Sequence, residues 1–456
     1  MTARELRAIT GLAAIYGVRM AGLFLILPVF MLHADQIPGA TPLLAGLALG
    51  IYGLTQALLQ IPFGLVSDRL GRKPLIAAGL GLFVLGSLVA GLAEDIHGII
   101  LGRALQGAGA VAAVVLALTA DLVSEERRTR ALAVIGLTIG LTFTASMALG
   151  PVLDRVVGLS GIFLVAAALG VLAVLILWWW VPSPGRRRPH PDMAPQWTAL
   201  PRVLAAPALT RLNAGIFILH LVLAANFLVL PPFLVAGAGL DPAEHWAFYV
   251  PVLLAGFALM LPAVILGERH RRMHRVLSAA IVLLLITQAG LALAFHQGGG
   301  VWVLAFLMVA FFAAFNLLEA GLPAMVSRAA PLAHKGTAMG GFATAQFLGI
   351  FAGGALGGAL LGFGGPVAVL IATLPVLLVW WWLARGPAPE YGATRVFAVP
   401  EVWRGSPLRL LEELRGHPGV AEAALSPDAG ELYLRVRPDG PGDEVLRSVM
   451  ERGPAD

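Results

Sequence analysis

Apolar runs of about 20 residues recur along this chain, and the short segments between them carry nearly all of its charge. Crossing roughly 30 Å of hydrocarbon takes a helix of about 20 residues. In lipid every backbone N–H and C=O needs an internal partner, so runs of this length read as transmembrane helices. Composition agrees, with 58% of residues hydrophobic and 12% charged, against about 25% charged in a soluble domain. Residues 1 to about 385 therefore read as one membrane domain. The first run, Ile9 to Leu32, is long enough to cross and is not followed by a small-residue cleavage site, so it is expected to be retained. The absence of cysteine excludes disulfides and thiolate metal sites.

Charged and Pro/Gly punctuation predicts twelve spans, near 9–32, 42–66, 75–93, 98–120, 131–153, 161–181, 212–235, 246–267, 276–296, 301–326, 337–361 and 366–384. With the N-terminus inside, the inner segments hold Arg4, Arg7, Arg69, Arg72, Lys73, Arg127, Arg128, Arg130, Arg186–Arg188, Arg202, Arg211, Arg269, Arg271, Arg272, Arg275, Arg328 and Lys335, and the outer loops hold only Arg155. Short loops rich in Arg and Lys stay cytoplasmic, which puts both ends of the membrane domain inside an inner (plasma) membrane. The longest polar interruption, "PSPGRRRPHPD", divides the spans six and six. The expected units are 1–181, a linker 182–211, 212–385, and a small soluble unit 386–456. The halves echo each other: Pro62 and "SDR" (67–69) against Pro262 and "GER" (267–269), "LILP" (25–28) against "LVLP" (228–231), and "RTRALA" (128–133) against "KGTAMG" (335–340). Three echoes in order suggest the internal duplication that transporters show.

The stretch "GLVSDRLGRKP" sets Asp68, Arg69, Arg72 and Lys73 between two apolar runs. Topology alone accounts for the cations but not for Asp68. Gly64 permits close helix approach and Gly71 a turn that a side chain would oppose. Within the spans, charges cost several kcal/mol by insertion scales and are functional candidates by default. These are Arg19 in the first span, Arg103 with Gln106 in the fourth, His220 with Asn226 in the seventh, and Asn316 with Glu319 in the tenth. Glu319 and His220 are the protonatable candidates, with structural hydrogen bonding the alternative for each. Tyr52, Gln56 and Gln60, four residues apart, read as packing glue, and the Trp178–Trp180 and Trp380–Trp382 triplets as interfacial anchors.

After Arg385 the pattern is strand, helix, strand, strand, helix, with Ser406 as an N-cap. That order resembles a ferredoxin-like unit, with a solubilising appendage as the plainer reading. Nothing forms a nucleophile constellation, metal site or phosphate loop, and Arg186–Arg188 reads as topogenic. The chain is therefore not expected to be an enzyme, to use a cofactor or metal, or to bind nucleic acid.

The motifs "VRMAGLFLILPV" (18–29), "GIYGLTQALLQIPFGLVSDRLGRKPLI" (50–76), "GIILGRALQGAGA" (98–110), "RLNAGIFILH" (211–220), "FNLLEAGLP" (315–323) and "KGTAMGGFATAQFLGIFAGG" (335–354) resemble the major facilitator superfamily, and within it the YajR-like transporters. The resemblance covers nearly all of 5–384. It implies an all-α membrane fold of two six-helix bundles with a central cavity open alternately to each side, plus the small α+β unit. It also implies proton-coupled transport of small solutes, most simply export by a monomer. A membrane sensor on the same scaffold and an uptake symporter are the alternatives. By the same resemblance Asp68 contacts the eleventh span near Thr337 and Asp121 pairs with Arg72, so Gly64, Asp68, Arg69, Gly71, Arg72, Lys73 and Asp121 are expected to form a latch that closes the cytoplasmic side. Arg103 in "GRALQG" is tied to proton coupling, and spans one, four, seven and ten line the cavity. "ALGP" (148–151) is similar to an antiporter motif, from which Ser146 and Asp154 depart where further glycines are expected.

Overall fold

A computed structural model of the chain describes residues 2–183, 200–269, 273–385, 393–403, 406–426, 430–437 and 440–452, without the side chains of Asp68, Glu125, Glu126, Arg128, Thr129, Leu200, Glu268, Ala333, Ala393, Thr394, Ser426 and Glu431. The Arg186–Arg188 segment, Arg271 and Arg272 lie outside the described residues. The membrane portion runs α1 (Ala3–Phe24), α2 (Phe30–His33), α3 (Pro42–Leu70), α4 (Arg72–Gly91), α5 (Ile96–Ala108), α6 (Ala112–Leu122), α7 (Glu125–Trp179), α8 (Leu200–Leu204), α9 (Pro207–Ala236), α10 (His245–Arg269), α11 (Met273–Gln297), α12 (Val301–Ala329) and α13 (Lys335–Ala384).

Among the described residues, nine helical segments are long and apolar enough to cross a membrane. Two of them, Arg130–Trp179 and Lys335–Ala384, have 50 residues each. A straight helix of that length would reach about 75 Å, more than twice the hydrocarbon core. Each is two helices meeting at a glycine with non-helical backbone, Gly158 (φ 66°) and Gly365 (φ 68°), a region side chains disfavour. The predicted span 9–32 is broken after Phe24, because Pro28 lacks the N–H a continuing helix needs. The predicted span 98–120 likewise divides into α5 and α6 around Gly109.

The lipid-facing surface is apolar, with Phe306 and Phe363 exposed by 75% and 93%. Hydrophobic transfer gives helices in lipid little reason to associate, so close packing and polar contacts must hold them together. The tightest seam joins α3 to α13. A Cβ on Gly46 would lie 2.2 Å from the Gly354 carbonyl oxygen, and one on Gly358 would lie 2.5 Å from that of Pro42. One member of the second tryptophan triplet departs from the anchor expectation: Trp380 is buried against Gly215, whereas Trp179 and Trp382 are exposed.

The soluble unit consists of β1 (Ala393–Ala398), α14 (Pro407–Gly416), β2 (Val420–Ser426), β3 (Glu431–Val436) and α15 (Asp443–Glu451). Its three-stranded antiparallel sheet has the order β1-β3-β2, with Leu434 of β3 opposite both Arg395 and Ala423. Trp403, Leu410, Leu414, Leu434, Leu446 and Met450 fill the core. A fourth strand, which a ferredoxin-like sheet needs, is not among the described residues. Ser406 caps α14 through its backbone carbonyl and not its side chain. The unit docks on the turn between α12 and α13. There Glu422 accepts from Leu332 N at 2.9 Å, and Arg435 donates to Ala330 O at 2.7 Å and to Glu422 at 2.9 Å.

Candidate functional site

In the first half, α1 and α3 bring Arg19 against the stripe of Tyr52, Gln56 and Gln60. Residues four apart on a helix share a face, and here that face turns inward, with Tyr52 and Gln56 at 0% exposure. Arg19 Nη2 donates to Gln56 Oε1, and Gln56 Nε2 donates to Gln60 Oε1 at 3.1 Å. The stripe read as packing glue is thus the polar partner of the buried arginine.

Arg103, on α5, binds differently. Its guanidinium donates to the carbonyls of Gly22, Ala48 and Leu49 at 3.2, 3.3 and 3.4 Å and to Gln106 Oε1 at 2.9 Å. Gln106 in turn donates to Ser87 Oγ at 2.8 Å. The Gly22 carbonyl belongs to the last turn of α1, where helix ends leave acceptors unused. The break before Pro28 therefore creates an acceptor that Arg103 takes up.

In the second half, α9, α12 and α13 bring three polar side chains together. His220 Nδ1 lies 3.2 Å from the Ile216 carbonyl, which accepts a proton from it and leaves Nε2 as an acceptor. The Gln346 amide donates to that Nε2 at 2.9 Å and to Glu319 Oε1 at 3.1 Å, while Glu319 Oε2 stands 3.7 Å from His220. The Glu319 side chain is 34% exposed, yet its Oε2 is buried and takes no hydrogen bond among the described residues. Asn226 accepts from Gln288 at 3.0 Å in a separate buried pair. Asn316 is half-buried one turn before Glu319 and takes no part in these hydrogen bonds. Gln346 was not singled out in the sequence, because nothing about an uncharged residue in a Gly- and Ala-rich helix shows what packs against it.

At the Gly64–Lys73 end, Gly71 sits between α3 and α4 with φ 103°, a conformation that glycine adopts without strain. Arg72 Nε lies 3.2 Å from Asp121 Oδ2, and its Nη1 donates to Ser67 Oγ, which itself donates to the Gly64 carbonyl. Arg69 is exposed at the end of α3, and the Asp68 side chain lies outside the described residues. Lys73 is more than a loop charge. It is buried, donates to the Val181 carbonyl, and stands 5.8 Å from the Trp178 ring centroid. At the same end Glu5 caps α1 and meets Ser124 and Arg127. The backbone N–H groups of Thr2 and Ser124 hold its carboxyl down to about 2 from 4.5.

At the end of α2, His33 Nε2 lies 2.8 and 2.9 Å from the two oxygens of Asp154, which sits one turn before the Gly158 break in α7. The hydrogen bond to Asp154 raises the imidazole pKa, against the opposing effect of partial burial. Asp154 stands where the antiporter-like motif has glycine, and this pair is what occupies the position. Gly46, Gly50 and Gly53, which meet α13, all lie in the half of α3 away from the Gly64–Lys73 knot. No group of three or more His, Asp or Glu side chains able to hold a metal ion occurs among the described residues.

A family model described as Major Facilitator Superfamily matches residues 12–317 and 212–426. The chain is 39% identical to the inner membrane transport protein YajR of Escherichia coli K12 over 440 residues, which covers 96% of this chain and 95% of that protein. It is 30% identical to an uncharacterized transporter, BU466, of Buchnera aphidicola over 76% of this chain and 89% of that one. Among solved structures, a bacterial homologue of the lysosomal transporter Spinster, inward-facing and occupied, matches with a TM-score of 0.69 and 15% identity over 84% of this chain and 97% of that one. The nucleoside transporter NupG matches with a TM-score of 0.64 and 14% identity over 83% and 98%. At these identities the structural matches speak for the fold alone.

Proposed function

Because the chain belongs to the major facilitator superfamily, whose members here are transporters and not enzymes, we propose that it is a proton-coupled secondary transporter that exports a small organic solute by alternating access. Twelve crossings follow if α1 with α2 and α5 with α6 each count once, and α7 and α13 twice each, divided at Gly158 and Gly365. The proposed units are six-helix bundles at 1–181 and 212–385, joined by the 182–211 linker and followed by the cytoplasmic unit 386–456. Both ends of the membrane domain then face the cytoplasm from the inner membrane, a reading that the Arg and Lys distribution supports. The protein works as a monomer.

The observation that carries proton coupling is the His220–Gln346–Glu319 cluster. An intramembrane carboxylate with a polar partner is the expected form of a proton relay. Gln346 donates to both titratable groups, so a proton arriving on Glu319 or His220 must rearrange the same amide. Because that amide is carried on α13, one of the two helices of the glycine seam, protonation is coupled mechanically to the α3–α13 contact. The Arg72–Asp121 pair, with Gly64, Asp68, Arg69, Gly71 and Lys73 around it, serves as the cytoplasmic latch of the alternate state. Arg19, Arg103, Gln106, Asn226 and Asn316 line or brace the pathway.

The test is flux into proteoliposomes under an imposed pH gradient, for wild type and Glu319→Gln. Gradient-driven flux should fall about 5- to 150-fold in the variant, the usual span of a coupling free energy, while solute exchange without a gradient persists. Equal gradient dependence in both proteins would rule the cluster out as the coupling site. The docking of Glu422 and Arg435 on the α12–α13 turn favours one second reading, a sensor that reports occupancy through the soluble unit. Solute binding with no flux under any gradient would select it.

A further inference from the structure

Among the described residues two arginines are buried in the first half, and one of them is fully satisfied. Arg103 places Nε, Nη1 and Nη2 on acceptors. Arg19, 1% exposed, uses Nη2 on Gln56, and its Nε and Nη1 have no acceptor among the described residues. Arginine cannot shed its proton to escape burial, so this site keeps a full positive charge out of water. The neighbours do not answer it. Gln56 already gives its oxygen to Arg19 and its amide to Gln60. The Tyr52 ring, whose centroid is 5.8 Å from the guanidinium carbon, offers only its quadrupole. The Tyr52 hydroxyl is itself buried without a partner. No acceptor lies within hydrogen-bond reach of Arg19 Nε or Nη1 among the described residues. Beside them stand Met20, Leu23, Ala57 and Phe347. Phe347 belongs to α13, so the charge lies where the two halves of the chain meet.

We infer that Arg19 anchors the transported solute, and that the solute is an organic anion whose oxygen takes the open N–H groups of Arg19 while its apolar body packs on Tyr52, Met20 and Phe347. Hydrogen bonds between charged partners are the strong ones, and a buried cation gains most from an ion that enters already stripped of water. The inference rests on the transport reading, since it names the class of substrate at that pathway.

The probes are benzoate, benzenesulfonate, benzamide and benzylamine, added to the full-length purified protein and scored by the shift of its thermal unfolding midpoint, because a ligand of the folded state raises apparent stability. Both anions should raise the midpoint with concentration, and the amide and the amine should not. Arg19→Gln should weaken the apparent anion affinity by about tenfold or more, and Arg19→Lys should keep part of it. An anion shift that Arg19→Gln leaves unchanged overturns the inference, as does the lack of any anion preference in the wild type. That second measurement, with Arg19→Lys, decides the matter even if Arg19→Gln does not fold. Flux separates the two readings. Gradient-driven transport confined to benzamide or benzylamine overturns the anion site and leaves the transporter standing. Arg19-dependent anion binding without flux of any probe does the reverse.

Discussion

The polar clusters around the intramembrane charges differ between the two halves of this transporter. The first half holds Arg19 and Arg103, whose charge is fixed at any pH the protein meets, with the amides of Gln56, Gln60 and Gln106 around them. The second half holds His220 and Glu319, which can each gain or lose a proton, around the single amide of Gln346. A fixed charge can hold a ligand but cannot report a proton gradient. A titratable pair does the opposite. On the proposed function the two halves divide the labour, with solute recognition on one side and proton handling on the other.

The largest expected effect concerns the two arginines. Arg103→Ala removes four hydrogen bonds from a charged group and leaves a cavity, and it should lower stability by about 3 kcal/mol or more. Arg19→Gln removes one hydrogen bond together with an uncompensated buried charge, and its cost should be well under half of that. Chemical denaturation of both variants checks the order. Equal losses would show that Arg19 is as structural as Arg103 and would break the comparison.

A middle-sized effect tests the other half. Gln346→Leu leaves His220 Nε2 and Glu319 Oε1 without their donor, at a cost of roughly 1–3 kcal/mol, and should move the pH midpoint of gradient-driven flux. A midpoint unchanged from wild type would separate Gln346 from proton handling.

The smallest effect limits the division, since the first half has a titratable pair at its rim. Bonding to Asp154 raises the His33 pKa above its ordinary 6.5. The pair's stabilisation is therefore complete below pH 6.5 and is lost as pH rises through the raised value. Asp154→Asn should cost about 0.5–1 kcal/mol at pH 5 and almost nothing at pH 9. Thermal midpoints of variant and wild type across pH should converge at the alkaline end.

What the sequence made legible follows from the energetics of lipid. A charge among apolar residues is costly, so Arg19, Arg103, His220 and Glu319 stand out one by one. Helical spacing links residues on one helix, which is why Arg103 and Gln106 read as a pair. It says nothing about partners on other helices. Gln346 acquires its role only because α13 lies against α9 and α12, and Gln56 only because α3 lies against α1. The small energetic signal of an amide in a helix hides both. The breaks at Pro28 and Gly109 were equally hidden, since apolar runs continue through them.

The glycine seam between α3 and α13 has a consequence for motion. Where backbone meets backbone, as Gly46 meets Gly354 and Pro42 meets Gly358, no side chain has to be unlocked when the faces separate or reordered when they rejoin. Parting them forfeits dispersion contacts, each about 0.1–0.2 kcal/mol, without the rotamer entropy changes that interlocked side chains would bring. Such a joint behaves like two smooth plates and not like gear teeth. On the proposed alternating-access cycle, it keeps the free-energy cost of parting the two helices low.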